Sequence, residues 1–214
     1  FLHTNIDVNI LKNKIIYYNI KLIIPLHDFY FYNNDENIYR LNNLEVHNNY
    51  LNTNVKINTK LLCLLNIAYK ILCPSKFVYF NYYRIYKNNN LIKFNWIDYK
   101  LDSIKYSNQT IINNSINIGM LSENSIYKGE EYIDKLCKIT KYKDFKINIL
   151  IVDKNLPKYN EEEYFMLIKK YNIHGLLYLN KWGETYCYSL TKALMTGLPI
   201  FFNNIGCFKE RIPI

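Results

Sequence analysis

Ile116-Asn117-Ile118-Gly119-Met120-Leu121 opens the part of the chain that decides the fold. A helix-period stretch at 129–139 follows it, then the apolar run Ile147-Asn148-Ile149-Leu150-Ile151-Val152 and a second helical stretch at 161–171. The run 176–179, a helical stretch at 186–195 and the run 198–202 continue the alternation. Short apolar runs without in/out alternation, separated by helices of about ten residues, are the pattern of a parallel sheet covered on both faces. The expected class is α/β, built as in doubly wound sheets.

The first half shows the same grammar through more interruptions. Residues 20–26 read as a strand ending in His27-Asp28, 60–69 as a helix, 71–73 as a strand closed by Pro74-Ser75, and 76–87 as a helix. Residues 31–59, dense in Asn, read as a long surface loop, and the polar, aperiodic segment 98–114 as a linker. The expected domains are 1–105 and 106–214. The chain begins at Phe1, inside what reads as a strand with Leu2, and stops at Ile214 after Lys209-Glu210-Arg211. The expectation is a fragment lacking residues at both ends.

Asn, Ile, Lys and Tyr make up 109 of the 214 residues and Arg occurs three times, the codon bias of an AT-rich genome, so much of the composition carries no functional information. The net charge of +9 raises the question of nucleic acid. The lysines are spread along the chain, however, and the scarcity of Arg removes the bidentate phosphate and guanine contacts that base-reading proteins favour. No nucleic-acid partner is expected. The five cysteines are odd in number and form no C-x-x-C pair, which indicates neither zinc nor a disulfide framework and points to a reducing, cytoplasmic setting. No apolar run approaches the roughly 18 residues of a membrane span, so no integral membrane segment is expected. Asp-x-Asp does not occur, and no pair of acids marks a glycoside hydrolase.

In α/β sheets ligands bind beyond the carboxyl ends of the strands, where helix N-termini offer unpaired N–H groups. Two corners stand out. The first runs from Gly119 to Lys128-Gly129, where Lys128 either meets a phosphate or is a solvated lysine beside a turn glycine. The second runs Asn180-Lys181-Trp182-Gly183-Glu184-Thr185-Tyr186, continues to Lys192-Ala193-Leu194-Met195-Thr196-Gly197-Leu198-Pro199, and is followed by Gly206 and Glu210-Arg211. Positions 184 and 192 read as two turns apart on one helix.

Taken in order, these elements resemble the donor-binding signature of GT-B glycosyltransferases of the family 4 type: a Gly-Arg…Lys-Gly loop, a Pro-Glu-Thr-like turn, Ala-x-x-x-Gly-Leu-Pro, and a Gly turn before Glu-Arg. The match covers about residues 116–212. It implies two Rossmann-like lobes, an acceptor-side one followed by a donor-binding one, and a transferase that moves a sugar from a nucleoside diphosphate sugar to a glycan, lipid or protein acceptor. It also implies retention at the anomeric carbon, no required metal and no cofactor beyond the donor. Lys128 is then expected on the diphosphate, with Gly119 in the same loop, Glu184 on the transferred sugar, and the backbone N–H groups of Thr185 and Tyr186 toward the sugar phosphate. The sequence departs from the family twice: Met120 stands where the Arg is expected, and Lys192 where a second glutamate would hold the donor ribose. An ammonium has no acceptor, so either another group reads the ribose or the chain is a degenerate, non-catalytic nucleotide-sugar-binding module. In the first half, Ile24-Pro25-Leu26-His27-Asp28 and Leu72-Cys73-Pro74-Ser75 resemble corners of the acceptor lobe. His27 is either a reaction-site residue or a structural histidine beside Asp28. His3 is a weaker candidate of the same kind, whereas His47 and His174 read as surface or packing residues.

Overall fold

The computed structural model describes residues 7–27, 59–96, 109–122, 128–160, 162–181 and 183–212. The linker core, most of the Asn-rich loop, the opening Phe1-Leu2 strand, His3, His47, Asp28 and Trp182 lie outside them. The chain divides into two compact units, Phe1–Trp96 with Lys209–Ile214, and Ile97–Phe208.

The first unit opens with helix α1 (Val8–Tyr17), started by the Asp7 carboxylate, which accepts the Asn9 and Ile10 N–H groups at 2.8 and 3.2 Å. Such a cap satisfies donors that the first turn leaves without partners. Strand β1 (Ile23–Pro25), helix α2 (Thr59–Ile67), strand β2 (Lys70–Cys73), helix α3 (Lys76–Ile85) and strand β3 (Leu91–Lys93) follow. The three strands are parallel, in the order β1-β2-β3. Leu26, Leu65, Ile71, Val78 and Tyr82 are buried in one core between sheet and helices. Asn90 closes the end of α2, its Nδ2 donating to the carbonyls of Leu65 and Ala68 at 3.1 and 2.9 Å.

Helix α3 is capped twice. Ser75 Oγ accepts the Val78 N–H at 3.2 Å, and the Glu210 carboxylate, far along the chain, accepts the N–H groups of Lys76 and Phe77 at 2.9 and 3.2 Å. A negative group at a helix N-terminus is favoured by both hydrogen bonding and the helix dipole. Glu210→Ala is therefore expected to destabilise the first unit by about 1 kcal/mol, read as a lower urea midpoint. Glu210→Gln should lose only part of that.

In the second unit, strands β4 (Ser115–Met120), β6 (Phe145–Ile151), β7 (Ile173–Tyr178) and β8 (Ile200–Phe202) are parallel, and β5 (Lys141–Tyr142) adds an antiparallel edge through a tight hairpin to β6. The sheet order is β5-β6-β4-β7-β8. The purely parallel sheet expected from the sequence is thus corrected to a mixed one; two residues of strand carry no period to read. Helices α4 (Glu130–Leu136), α5 (Tyr164–Lys170) and α6 (Tyr188–Met195) make the crossovers, and α7 (Phe208–Arg211) starts at the last residue of this unit, its residues from Lys209 on belonging to the first. Ile133 of α4 packs on Met120, Ile151 and Leu177.

A bulge in β7 lets Asn117 pair with Ile173 and Ile118 with Gly175. His174 fills the resulting gap: its Nδ1 accepts the Asn117 N–H at 3.0 Å, and Nε2 lies 3.3 Å from the Thr110 carbonyl. That pairing makes Nε2 the protonated nitrogen and gives His174 a structural task. Asparagine has structural tasks as well. The chain holds six glycines, and Asn19, Asn113, Asn114 and Asn172 adopt left-handed backbone at turns where glycine is the usual choice. Among the described residues no helix is long and apolar enough to cross a membrane.

Candidate functional site

Strand order reverses at β4: the chain goes to β6 on one side and then to β7 on the other. Beyond the carboxyl ends of two such strands a crevice opens, because their outgoing connections diverge. The loop after β4 leads to Lys128 and Gly129 at the start of α4, and the loop after β7 carries Asn180, Lys181 and Glu184.

Two glycines allow close approaches at this corner. Gly129 has φ +83°, and a Cβ there would stand 2.2 Å from the Leu179 carbonyl oxygen. Gly206, at φ +61°, lies so close to the second loop that a Cβ would meet Glu184 N at 2.6 Å. Only residues without side chains fit such approaches. Further bonds fix the second loop from behind: the Cys207 N–H donates to the Glu184 carbonyl at 3.0 Å, and Asn203 Nδ2 to the Asn180 carbonyl at 3.1 Å.

Lys128 and Glu184, 56 residues apart, form an ion pair between Nζ and Oε1, and the same oxygen accepts Asn180 Nδ2 at 2.7 Å. Both charged side chains are largely covered, with relative exposures of 23% and 14%. Burial pulls the Lys128 ammonium toward a lower pKa, but the charge and hydrogen bond of Glu184, together with the nearby Cys187 and Cys207, outweigh it, so its pKa lies above the usual 10.5. Cys187 sits next to the pair. Burial first, and the Glu184 charge second, push its thiol above 9.0. It therefore stays protonated at neutral pH and is no nucleophile. Lys181 Nζ reaches Glu131 Oε2 at 2.5 Å and lies 5.3 Å from the Tyr132 ring centre, tying the loop to α4.

A second feature lies on the β6 side. A cavity of about 380 Å³ is walled by Leu121 and Val152 at the ends of β4 and β6, by Asp153 and Tyr159, and by Lys192 from α6. Lys192 Nζ stands 5.9 Å over the Tyr164 ring. The Tyr159 hydroxyl donates to the Leu121 carbonyl, and burial pushes its pKa up to about 12, so it remains a donor at any physiological pH.

The residues singled out in the sequence distribute as follows. Lys128 and Glu184 meet, and Lys192 lines the adjacent cavity. Gly119 is not at the corner: it lies within β4, buried, where a Cβ would come 2.9 Å from the Ile173 side chain, so packing between neighbouring strands accounts for it. Thr185 and Tyr186 precede the helix rather than opening it, because Cys187 is left-handed at φ 64° and α6 begins at Tyr188. The same break corrects the two-turn spacing of 184 and 192, since only Lys192 lies on the helix. Tyr186 is buried, and its carbonyl accepts Cys207 Sγ at 2.9 Å. His27 is exposed in the first unit, two residues beyond β1. Asn180 and Asp153 went unnoticed in the sequence, the first because Asn was discounted as bias. Among the described residues no group of His, Cys, Asp and Glu is arranged to hold a metal ion. No family model matches the chain, and no curated protein matches it.

Proposed function

We propose that the second unit binds a nucleoside diphosphate sugar and that the protein is a GT-B-like glycosyltransferase with two Rossmann-like lobes. The observation that carries this reading is the meeting of Lys128 and Glu184 at the carboxyl edge of the sheet, where its strand order reverses. The chemistry suits the transfer. When the bond from the anomeric carbon to the phosphate oxygen breaks, negative charge grows on the departing diphosphate, and a fixed ammonium stabilises it most in a water-poor site. A carboxylate accepts hydrogen bonds from sugar hydroxyls and orients the ring, a role for Glu184. The acceptor, a glycan, lipid or protein, belongs to the first unit in this reading, with His27 as its candidate contact. Retention, independence of metal and a cytoplasmic location complete the proposal.

One observation favours a second reading, a module that binds the donor without turning it over. Met120, where the resembled family carries an Arg, is 1% exposed in the core beneath α4, so that position presents no cation to a diphosphate. Calorimetry and turnover against a panel of nucleoside diphosphate sugars separate the two. The transferase reading expects binding and release of nucleoside diphosphate, with Glu184→Gln weakening sugar-donor binding roughly ten- to a hundredfold and the unglycosylated diphosphate much less. Binding without turnover leaves the second reading. No binding by any donor sinks both.

A further inference from the structure

We propose that the cavity at the carboxyl ends of β4 and β6 holds the nucleoside of the ligand, with the Asp153 carboxylate accepting the two hydroxyls of its ribose. This inference rests on the donor-binding reading above and adds to it the group that takes the place of the carboxylate absent at position 192.

A ribose presents a vicinal diol, two donors side by side, which one carboxylate can accept together and an ammonium cannot. Lys192 faces the cavity and supplies only donors. Asp153 is the one carboxylate among the described residues that line it. Of the other side-chain oxygens of the wall, Asn160 Oδ1 already accepts the N–H groups of Glu162 and Glu163, both at 3.0 Å, while Ser122 and Tyr159 each offer a single neutral hydroxyl, so neither presents the paired, charged acceptor that a vicinal diol suits. Asp153 Oδ2 lies 3.6 Å from Lys158 Nζ, but that lysine is 83% exposed. Such a pair is worth little and yields readily to a ligand.

The position is also built rather than incidental. Asp153 has φ 66°, a left-handed conformation rare for residues other than Gly, Asn and Asp. The turn that imposes it is locked from several sides: the Asp153 N–H donates to the Leu156 carbonyl at 3.0 Å, Asn155 Oδ1 accepts the Ile151 N–H at 2.5 Å, and Asn155 Nδ2 donates to the Ile149 carbonyl at 3.0 Å. In dinucleotide-binding Rossmann sheets an acid in the second β-α-β strand region accepts the ribose hydroxyl, and Asp153 stands two residues beyond the end of β6. Leu121 and Val152, both buried, give the adjoining wall an apolar surface suited to a flat base. The cavity's volume of about 380 Å³ falls within the usual range for small-molecule sites, roughly 300–1,000 Å³.

Calorimetry on the 214-residue chain with UDP, ADP, GDP and CDP, their 2′-deoxy counterparts and the free nucleosides tests this. The expected result is a ribonucleotide that binds roughly tenfold more tightly than its deoxy counterpart, with Asp153→Asn collapsing that ratio because it weakens the ribonucleotide more than the deoxy form, which keeps only the 3′-hydroxyl. Asn tolerates the left-handed backbone, so the variant keeps the turn. Equal affinity for ribo and deoxy forms in the unsubstituted chain overturns the inference with no variant needed, as does a ratio that survives Asp153→Asn. If diphosphates bind and Lys128→Ala weakens them while that ratio stays flat, the donor reading stands and the Asp153 inference falls. Asp153-dependent binding of free nucleosides that gains nothing from the diphosphate supports the inference and removes the donor reading. Absence of binding by every probe overturns both.

Discussion

Lys128→Met is expected to destabilise the second unit by about 2–3 kcal/mol at neutral pH and to remove diphosphate affinity with it. Breaking a buried ion pair from one side leaves the other charge without compensation, typically at a cost of about 3–5 kcal/mol. The lower figure applies because Asn180 still donates to Glu184 Oε1 and both side chains retain some solvent contact. Glu184→Gln should cost less, since an amide oxygen can still accept from Asn180. The double variant should be more stable than Lys128→Met alone, because it leaves no buried charge behind. The pH dependence identifies the pair. A lysine whose folded pKa is raised contributes stability that is fully present below its unfolded value and is lost as pH rises through the folded one. That window opens at about pH 10.5 for Lys128. The buried Cys187 thiol contributes a loss beginning lower, from about pH 9.0, because the unfolded chain ionises first. Urea midpoints followed from neutral to strongly alkaline pH should thus fall in both proteins above pH 9, and further from about pH 10 as buried tyrosines such as Tyr159 add their own loss, with the unsubstituted chain falling more steeply than Lys128→Met beyond pH 10.5. Parallel curves throughout would mean that Lys128 and Glu184 are not paired in solution.

How much of this was legible in the sequence depended on element length and on what asparagine was taken to mean. Strands β4, β6, β7 and β8 and helices α5 and α6 were found because apolar runs and helical spacing alternate there without interruption. Helix α1 was missed because only Ile15 of its residues is buried, while Ile10, Ile16 and Tyr17 are exposed, so no apolar stripe marks a face. Strand β3 has three residues and follows an asparagine run, too short to carry a period. At the site, Lys128 and Glu184 were visible because each stands at a strand-to-helix corner. Asn180, Asn155 and Asn203 were invisible for a compositional reason: in a chain so rich in Asn, the ones that satisfy a carboxylate or a backbone carbonyl look like all the others. The left-handed state of Cys187 leaves no residue-type signal either, since it is imposed by the turn around it.

The second large effect is expected at a residue that touches no ligand. Gly129→Ala should destabilise the second unit by about 3–4 kcal/mol and weaken donor binding beyond what the stability loss explains. Left-handed backbone costs an alanine about 1–2 kcal/mol, which applies to any glycine at such a φ. Gly197, exposed with φ +67° just past α6, is the comparison, and Gly197→Ala should cost about that much and leave binding unchanged. Gly129 carries a further cost. A methyl group placed 2.2 Å from the Leu179 oxygen and 2.9 Å from the Leu179 Cβ must drive the two loops apart, and its first neighbour is backbone, which gives way less readily than a side chain. Overpacking of this kind adds about 1–3 kcal/mol. The displacement also bears on function, because Lys128 is the preceding residue and Leu179 directly precedes Asn180. Separating them draws the ammonium away from Glu184 and its amide partner, in the direction that dissolves the ion pair. Denaturation midpoints and calorimetry on the two glycine variants, compared at a temperature where both are folded, check this. A Gly129→Ala protein that binds diphosphate as tightly as Gly197→Ala would show that the approach of the two loops does not position the site.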